Sequence, residues 1–242
     1  MSTSQGSHRF PQFGIVFAGC VLLGLAACQT SPPPAEIPPV VAPALEPGAI
    51  PAGATTYSVV PEESLLQILV YRGGAMAKLG HNHVIASHRL NGAVYVLDDA
   101  SQMRFDVSFP VNELTVDEPA MRELAGSDFP PNVPQSARDG TRTNLLSEAL
   151  LDGARYPEIR LRATEVVSAG DIWDVAIEIR IKDQVRNVRV PVTLERTEGA
   201  LNARGEFPLK QSELGLKPFS VAMGTLIVVD EMRVRFEVSA RE

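Results

Sequence analysis

"IWDVAIEIRIK" runs from Ile172 to Lys182, and its pattern decides the fold. Trp173, Val175, Ile177, Ile179 and Ile181 alternate with Asp174, Ala176, Glu178, Arg180 and Lys182. A helix would spread these residues over all its sides. Extended backbone sends them to two opposite faces, one dry and one wet. "NVRVPVTLE" (Asn187–Glu195) repeats the pattern with Val188, Val190, Val192 and Leu194.

The same alternation recurs on both sides. "QMRFDVSF" puts Met103, Phe105, Val107 and Phe109 on one face against Gln102, Arg104, Asp106 and Ser108. "EIRLRA" sets Ile159 and Leu161 against Arg160 and Arg162. A last strand is expected over Thr225–Ser239, with Leu226, Val228, Met232, Val234, Phe236 and Val238 on one side. Asp230 interrupts that side, as a bulge or as an acid pointing inward. Strands with one dry face, not separated by helices, are antiparallel, and roughly eight of them form a sandwich or close into a barrel. "DGTRTNLLSEALLDG" (Asp139–Gly153) is the main helical exception: Leu145, Leu146, Ala149 and Leu150 recur at helical spacing, with Gly153 as the expected stop.

The N-terminal region differs in kind. A short polar start with His8 and Arg9 precedes "GIVFAGCVLLGLAAC" (Gly14–Cys28). Its apolar run is about half the length needed to cross a bilayer, so it reads as a signal-peptide core. Leu25-Ala26-Ala27-Cys28 resembles a bacterial lipobox, which implies cleavage after residue 27 and acylation of Cys28. Gln29 in place of Asp at the next position implies, by the sorting rule of Gram-negative lipoproteins, the outer membrane. With Cys20 removed and Cys28 acylated, no cysteine remains for a disulfide or a thiolate metal site. "QTSPPPAEIPPVVAPALEPGAIPAGA" (29–54) carries eight of the 19 prolines and reads as an extended tether. The expected organisation is therefore a signal peptide over 1–27, a lipidated N-terminus and tether over 28–54, and one domain over 55–242. Composition is that of a globular protein, at 45% hydrophobic and 21% charged. A formal charge of −7 without a basic run argues against nucleic acid as a partner.

Several segments together resemble the YceI-like, polyisoprenoid-binding family. They are "FDVSFPVNELTVDEP" (Phe105–Pro119), "LLDGARYPEIRLRATEV" (Leu150–Val166), "IRIKDQVRNVRVPVTL" (Ile179–Leu194), "FPLKQSELGLKPFS" (Phe207–Ser220) and "TLIVVDEMRVRFEVSA" (Thr225–Ala240), in that order. The resemblance spans roughly Tyr57–Ala240. It implies an all-β fold: an eight-stranded antiparallel lipocalin-like barrel with one or two short helices, located in the periplasm. It also implies a lumen that binds a long-chain isoprenoid or other lipid. No cofactor and no enzymatic activity are expected; a hydrolase using a metal-activated water at the histidines is the further alternative. The residues placed on that lumen are Met103, Phe105, Val107, Phe109, Trp173, Val175, Ile177, Met232, Val234 and Phe236. Large apolar side chains fill a solid core as readily as they wall a pocket. An interior sparing in aromatics suits a flexible hydrocarbon better than a planar ring.

One stretch departs from the family pattern. Many members carry a single histidine between the second and third strands; here "YRGGAMAKLGHNHVIASHRLNGAV" (Tyr71–Val94) carries His81, His83 and His88, after a Gly73-Gly74 break. His81 and His83 are two apart and share a face if extended. The expected role is a polar connection, with Asn82, that caps one end of the barrel. The alternative is a divalent metal or haem iron held by His81, His83 and His88, three imidazoles making an open site. Acid–base chemistry is the third reading, without a nucleophile motif beside it.

Overall fold

The computed structural model describes residues 50–242. The expected signal segment, Cys28 and nearly all of the tether lie outside the described residues. The elements in chain order are β1 (Thr55–Val59), β2 (Leu65–Val70), β3 (Arg72–Gly73), β4 (His83–Ser87), β5 (Asn91–Val96), β6 (Arg104–Pro110) and β7 (Thr115–Val116). Two helices follow, α1 (Pro119–Ala125) and α2 (Gln135–Leu146). The rest is β8 (Glu158–Ala169), β9 (Ile172–Ile181), β10 (Gln184–Thr197), β11 (Ala200–Lys210), β12 (Ser220–Val221), β13 (Leu226–Val228) and β14 (Glu231–Arg241).

Eight strands close a ring in the order β1-β5-β6-β8-β9-β10-β11-β14, and β14 returns to β1 through Ser58–Arg241 and Val59–Ala240. Every pairing is antiparallel. The expected eight-stranded barrel with two short helices is the fold. Its long wall, β8 to β11, is joined by three two-residue turns, between Ala169 and Ile172, Ile181 and Gln184, and Thr197 and Ala200. Such turns need positive φ, supplied by Gly170, Lys182 and Gly199. A bulge between Ala163 and Glu165 bends β8 as the wall curves.

The closing strand β14 gives one whole edge to β11, while its other edge is shared. β2 takes that edge over Arg233–Glu237 and β1 takes its end. β4 and then β7 add to β2. β2 and β4 are dry on both faces, because α1 and the segment after it cover the side away from the lumen with Met121 and Phe129 over Leu69, Val84 and Ala86. Strict alternation therefore fails in "LLQILV" and "HVIAS".

Two expectations need correction. The last strand is not continuous over Thr225–Ser239. The chain breaks at Asp230, whose carboxylate accepts from the Ser212 N–H at 2.9 Å and its hydroxyl at 2.6 Å. Asp230 is thus neither a bulge nor an inward acid. It anchors the turn that follows β11. β13 leaves the barrel there and forms a small sheet with β12 and β3. The helix expected over Asp139–Gly153 starts earlier, at Gln135, and ends at Leu146, with Gly153 beyond its end. The Ser147 hydroxyl donates back to the Asn144 carbonyl at 2.7 Å, and Asp152, at φ 49°, makes the reversal. No helix among the described residues is long and apolar enough to cross a membrane.

Candidate functional site: an apolar lumen with a polar end

The inward faces of the ring strands enclose a cavity of about 380 Å³. That lies at the lower end of the roughly 300–1,000 Å³ of small-molecule sites. All ten residues the sequence placed on the lumen are in its wall. Met103, Phe105, Val107 and Phe109 come from β6 and the residue before it, Trp173, Val175 and Ile177 from β9, and Met232, Val234 and Phe236 from β14. Most of the remaining wall is Leu, Ile and Val. Inward alternation makes this inevitable: each strand of the ring contributes one dry face, and closure points those faces at one another.

Arg72, His81, His83, Thr141 and Asn144 line one part of the cavity together, and Arg104 and Gln211 also line it. The backbone N–H of Arg72 donates to Asn82 Oδ1 at 3.0 Å, and Asn82 Nδ2 donates to the Asp128 carbonyl at 2.9 Å. Asn82 therefore ties the connection as expected of a capping segment. His81 and His83 do share a side, with ring centroids 6.1 Å apart. His88 does not join them. β4 runs extended from His83 to Ser87, and residues five apart in a strand face opposite ways. His88 instead meets Glu118 on the outside, Nε2 to Oε2 at 3.2 Å. Among the described residues no three of His, Cys, Asp and Glu form a metal-ligand set. His88 thus stands apart from His81 and His83, on the outer side of the barrel.

The partner of His83 is a residue the sequence did not single out. Asp117 is 1% exposed and sits at φ 56°, in the left-handed region. That region is uncommon for side chains other than Gly, Asn and Asp. The conformation turns its carboxylate back into the protein. Oδ2 lies 2.6 Å from His83 Nδ1, and Oδ1 accepts from the Val84 N–H at 2.9 Å. Oδ1 also accepts from Arg122 Nη1. Arg122, equally buried at 1%, donates to the carbonyls of Asn82 at 2.8 Å and Pro130 at 2.7 Å and lies over the Phe129 ring. On the lumen side, His83 Nε2 stands 3.2 Å from Thr141 Oγ1. A polar chain thus runs Arg122–Asp117–His83–Thr141, from beneath α1 to the lumen wall. Asp117 is acceptor-only, so His83 carries its proton on Nδ1 and its ring is fixed. The signals in "TVDEPAMRE" are faint: an acid two residues before a helix-opening proline, and an Arg on a short helix.

The electrostatics follow. Burial alone would raise Asp117, but hydrogen bonds from His83, the Val84 N–H and Arg122 outweigh it and hold the carboxyl below its usual range. His81 is lowered, first by burial and then by its neighbour His83 and the guanidinium groups of Arg72 and Arg122. At neutral pH His81 is therefore an uncharged imidazole on the wall.

This is a barrel that walls off an apolar space and sets a rigid polar group at one end. A YceI-like domain matches residues 57–240.

The chain belongs to the YceI-like family.

Among solved structures, BcnA of Burkholderia cenocepacia is similar at 16% identity and TM-score 0.55, over 75% of this chain and 99% of that one. The YceI protein of Campylobacter jejuni aligns at 12% identity and TM-score 0.45, over 63% and 81%. No curated protein matches the chain. At these identities the likeness concerns the fold. Apolar walls in a YceI-like barrel fit a hydrophobic ligand.

The Asp117 chain makes a test. Asp117→Asn leaves Arg122 buried without its counter-charge, at a cost of about 3–5 kcal/mol. A carboxylate held low in the folded state adds stability above its unfolded pKa, and that stability is lost as pH falls through the folded value. The stability gap between wild type and Asp117→Asn, measured by denaturant unfolding, should be widest near neutral pH and narrow below about pH 4. A gap that stays constant with pH would show that the ionised carboxylate is not what Arg122 and His83 rest on.

Proposed function

We propose that this YceI-like protein is a binding protein, not an enzyme, which houses the apolar chain of a lipid or isoprenoid in its lumen. The carrying observation is the wall itself. A cavity of about 380 Å³ lined mainly by apolar side chains, most of them aliphatic, has little to offer a polar substrate and much to offer a hydrocarbon. Chain burial would supply about 25 cal/mol per Å² removed from water. Aliphatic rotamers adapt to a flexible chain. The polar end, with Arg72, His81, His83 and Thr141, offers hydrogen-bonding groups to a head group.

The proposal includes the location. Acylation of Cys28 would hold the protein to a membrane on the periplasmic side, and Gln29 points to the outer membrane. A proline-rich tether over 29–54 would let the barrel stand off its surface. Several acyl chains on one residue anchor stably where one would bind only marginally.

Ala203, a small residue of the lumen wall, gives the direct test. Ala203→Phe should fill part of the cavity while keeping the barrel folded, at about 1–3 kcal/mol of overpacking. Titration with cis-parinaric acid, a polyene fatty acid that fluoresces in apolar surroundings, should show saturable binding to wild type and weakened binding to Ala203→Phe. Equal binding by both would place the chain outside the lumen. For the anchor, Cys28→Ser should release the protein from washed membranes. Retention in the membrane fraction through high salt would dismiss acylation at Cys28 as the attachment.

A further inference from the structure

Ten large hydrophobic residues are exposed among the described residues, and five of them lie in one place: Met76, Leu79, Phe219, Val221 and Met223. They come from two segments far apart in sequence, joined by pairing of β13 with β3 at Ile227–Gly73 and Val228–Arg72. The union is close. The Met76 N–H donates to the Thr225 carbonyl at 2.8 Å. Gly74, at φ 87°, has no room for a side chain, because a Cβ would stand 2.5 Å from that same carbonyl. β12 pairs with β13 on the other side. A two-segment platform results, with Leu79 at 69% and Met223 at 103% exposure. Single apolar residues on a surface are ordinary, but a contiguous group marks a contact site.

The charges say what the contact is. Residues 71–80 and 216–229 carry Arg72, Lys78 and Lys217, all exposed, and no Asp or Glu. The chain as a whole has a formal charge of −7. Asp230, at the edge of the platform, is held by Ser212. Apolar side chains flanked by lysine and arginine complement an anionic lipid surface: each basic group near such a surface contributes favourably, while the apolar ones enter the interface. Position adds a third observation. Phe219 is both exposed and part of the lumen wall, and Leu226 and Ile227 beside it line the same cavity. The platform is therefore continuous with the lumen.

We propose that the platform of β3, residues 76–79, β12 and β13 docks the barrel on an anionic lipid bilayer, with the lumen opening toward it. This is a contact of the barrel's own surface, additional to an acyl anchor at Cys28. That the contact serves exchange of a chain with the bilayer rests on the lumen-binding reading above.

The full chain carrying Cys20→Ser, Cys28→Ser and Met223→Cys, so that 223 holds its one thiol and no acyl anchor contributes, is labelled with an environment-sensitive fluorophore and tests it. A second sample carries the label at Ile172→Cys, at the start of β9. Vesicles of phosphatidylethanolamine with phosphatidylglycerol should shift the 223 label to the blue and expose it to lipid-borne quenchers, with the 172 label unchanged. Vesicles of phosphatidylcholine alone should do far less, and added salt should reverse the effect. Lys78→Glu with Lys217→Glu should weaken vesicle binding by about tenfold or more. A silent 223 label, as a protein-docking platform would give, overturns the proposal, as does an equal response at 172 and 223. cis-Parinaric emission in the same samples separates the two readings. A filled lumen with a silent label overturns docking alone, and an inserted label on a barrel that takes up no chain overturns the lumen reading alone.

Discussion

The return of β14 to β1, through Ser58–Arg241 and Val59–Ala240, is the constraint on which the rest depends. Closing the ring pairs the edges of its strands and turns eight dry faces toward one axis. Nothing on the wet outer faces can then fill the middle; it holds the inward side chains or a guest. Buried residues such as Val107, Val190 and Leu201 pack the wall tightly. Yet the ring is wide enough to leave a cavity between its two apolar clusters. A dry space of this kind favours an apolar guest by desolvation.

A buried charge within so dry a structure needs a reason. Arg122 and Asp117 are desolvated together, an arrangement that often costs more than it returns. Here the pair is saturated with further bonds, to Val84, His83 and the carbonyls of Asn82 and Pro130. The network fastens β4, α1, the segment after it and, through His83 and Thr141, α2. It fixes the polar end of the lumen in one geometry. The neutral His81 stands beside that fixed group, while His88 faces the outer side with Glu118.

The fold was legible wherever one face of a strand is wet. β6, β8, β9 and β10 could be read from alternation, since Arg160, Arg162, Glu178 and their like mark the outside. β2 and β4 were not, because Met121 and Phe129 cover their second face and erase the period. The end of α2 was misplaced for a related reason: the apolar residues of 147–153 pack as a turn against the barrel, so their helical spacing carried no helix. The lumen residues were legible as inward faces. The Asp117 chain was not, because its members are 34 and 58 residues apart and Asp117 reaches His83 only through a left-handed backbone conformation that no local pattern announces.

The central claim is that the barrel carries an apolar chain in its lumen. Native mass spectrometry of the protein purified from its own host reads this most directly, by comparing intact mass before and after organic extraction and identifying what is released. The account predicts one lipid or isoprenoid per barrel, retained by wild type and depleted in Ala203→Phe. A wild-type barrel that carries no apolar molecule, or one that Ala203→Phe retains equally, would contradict it.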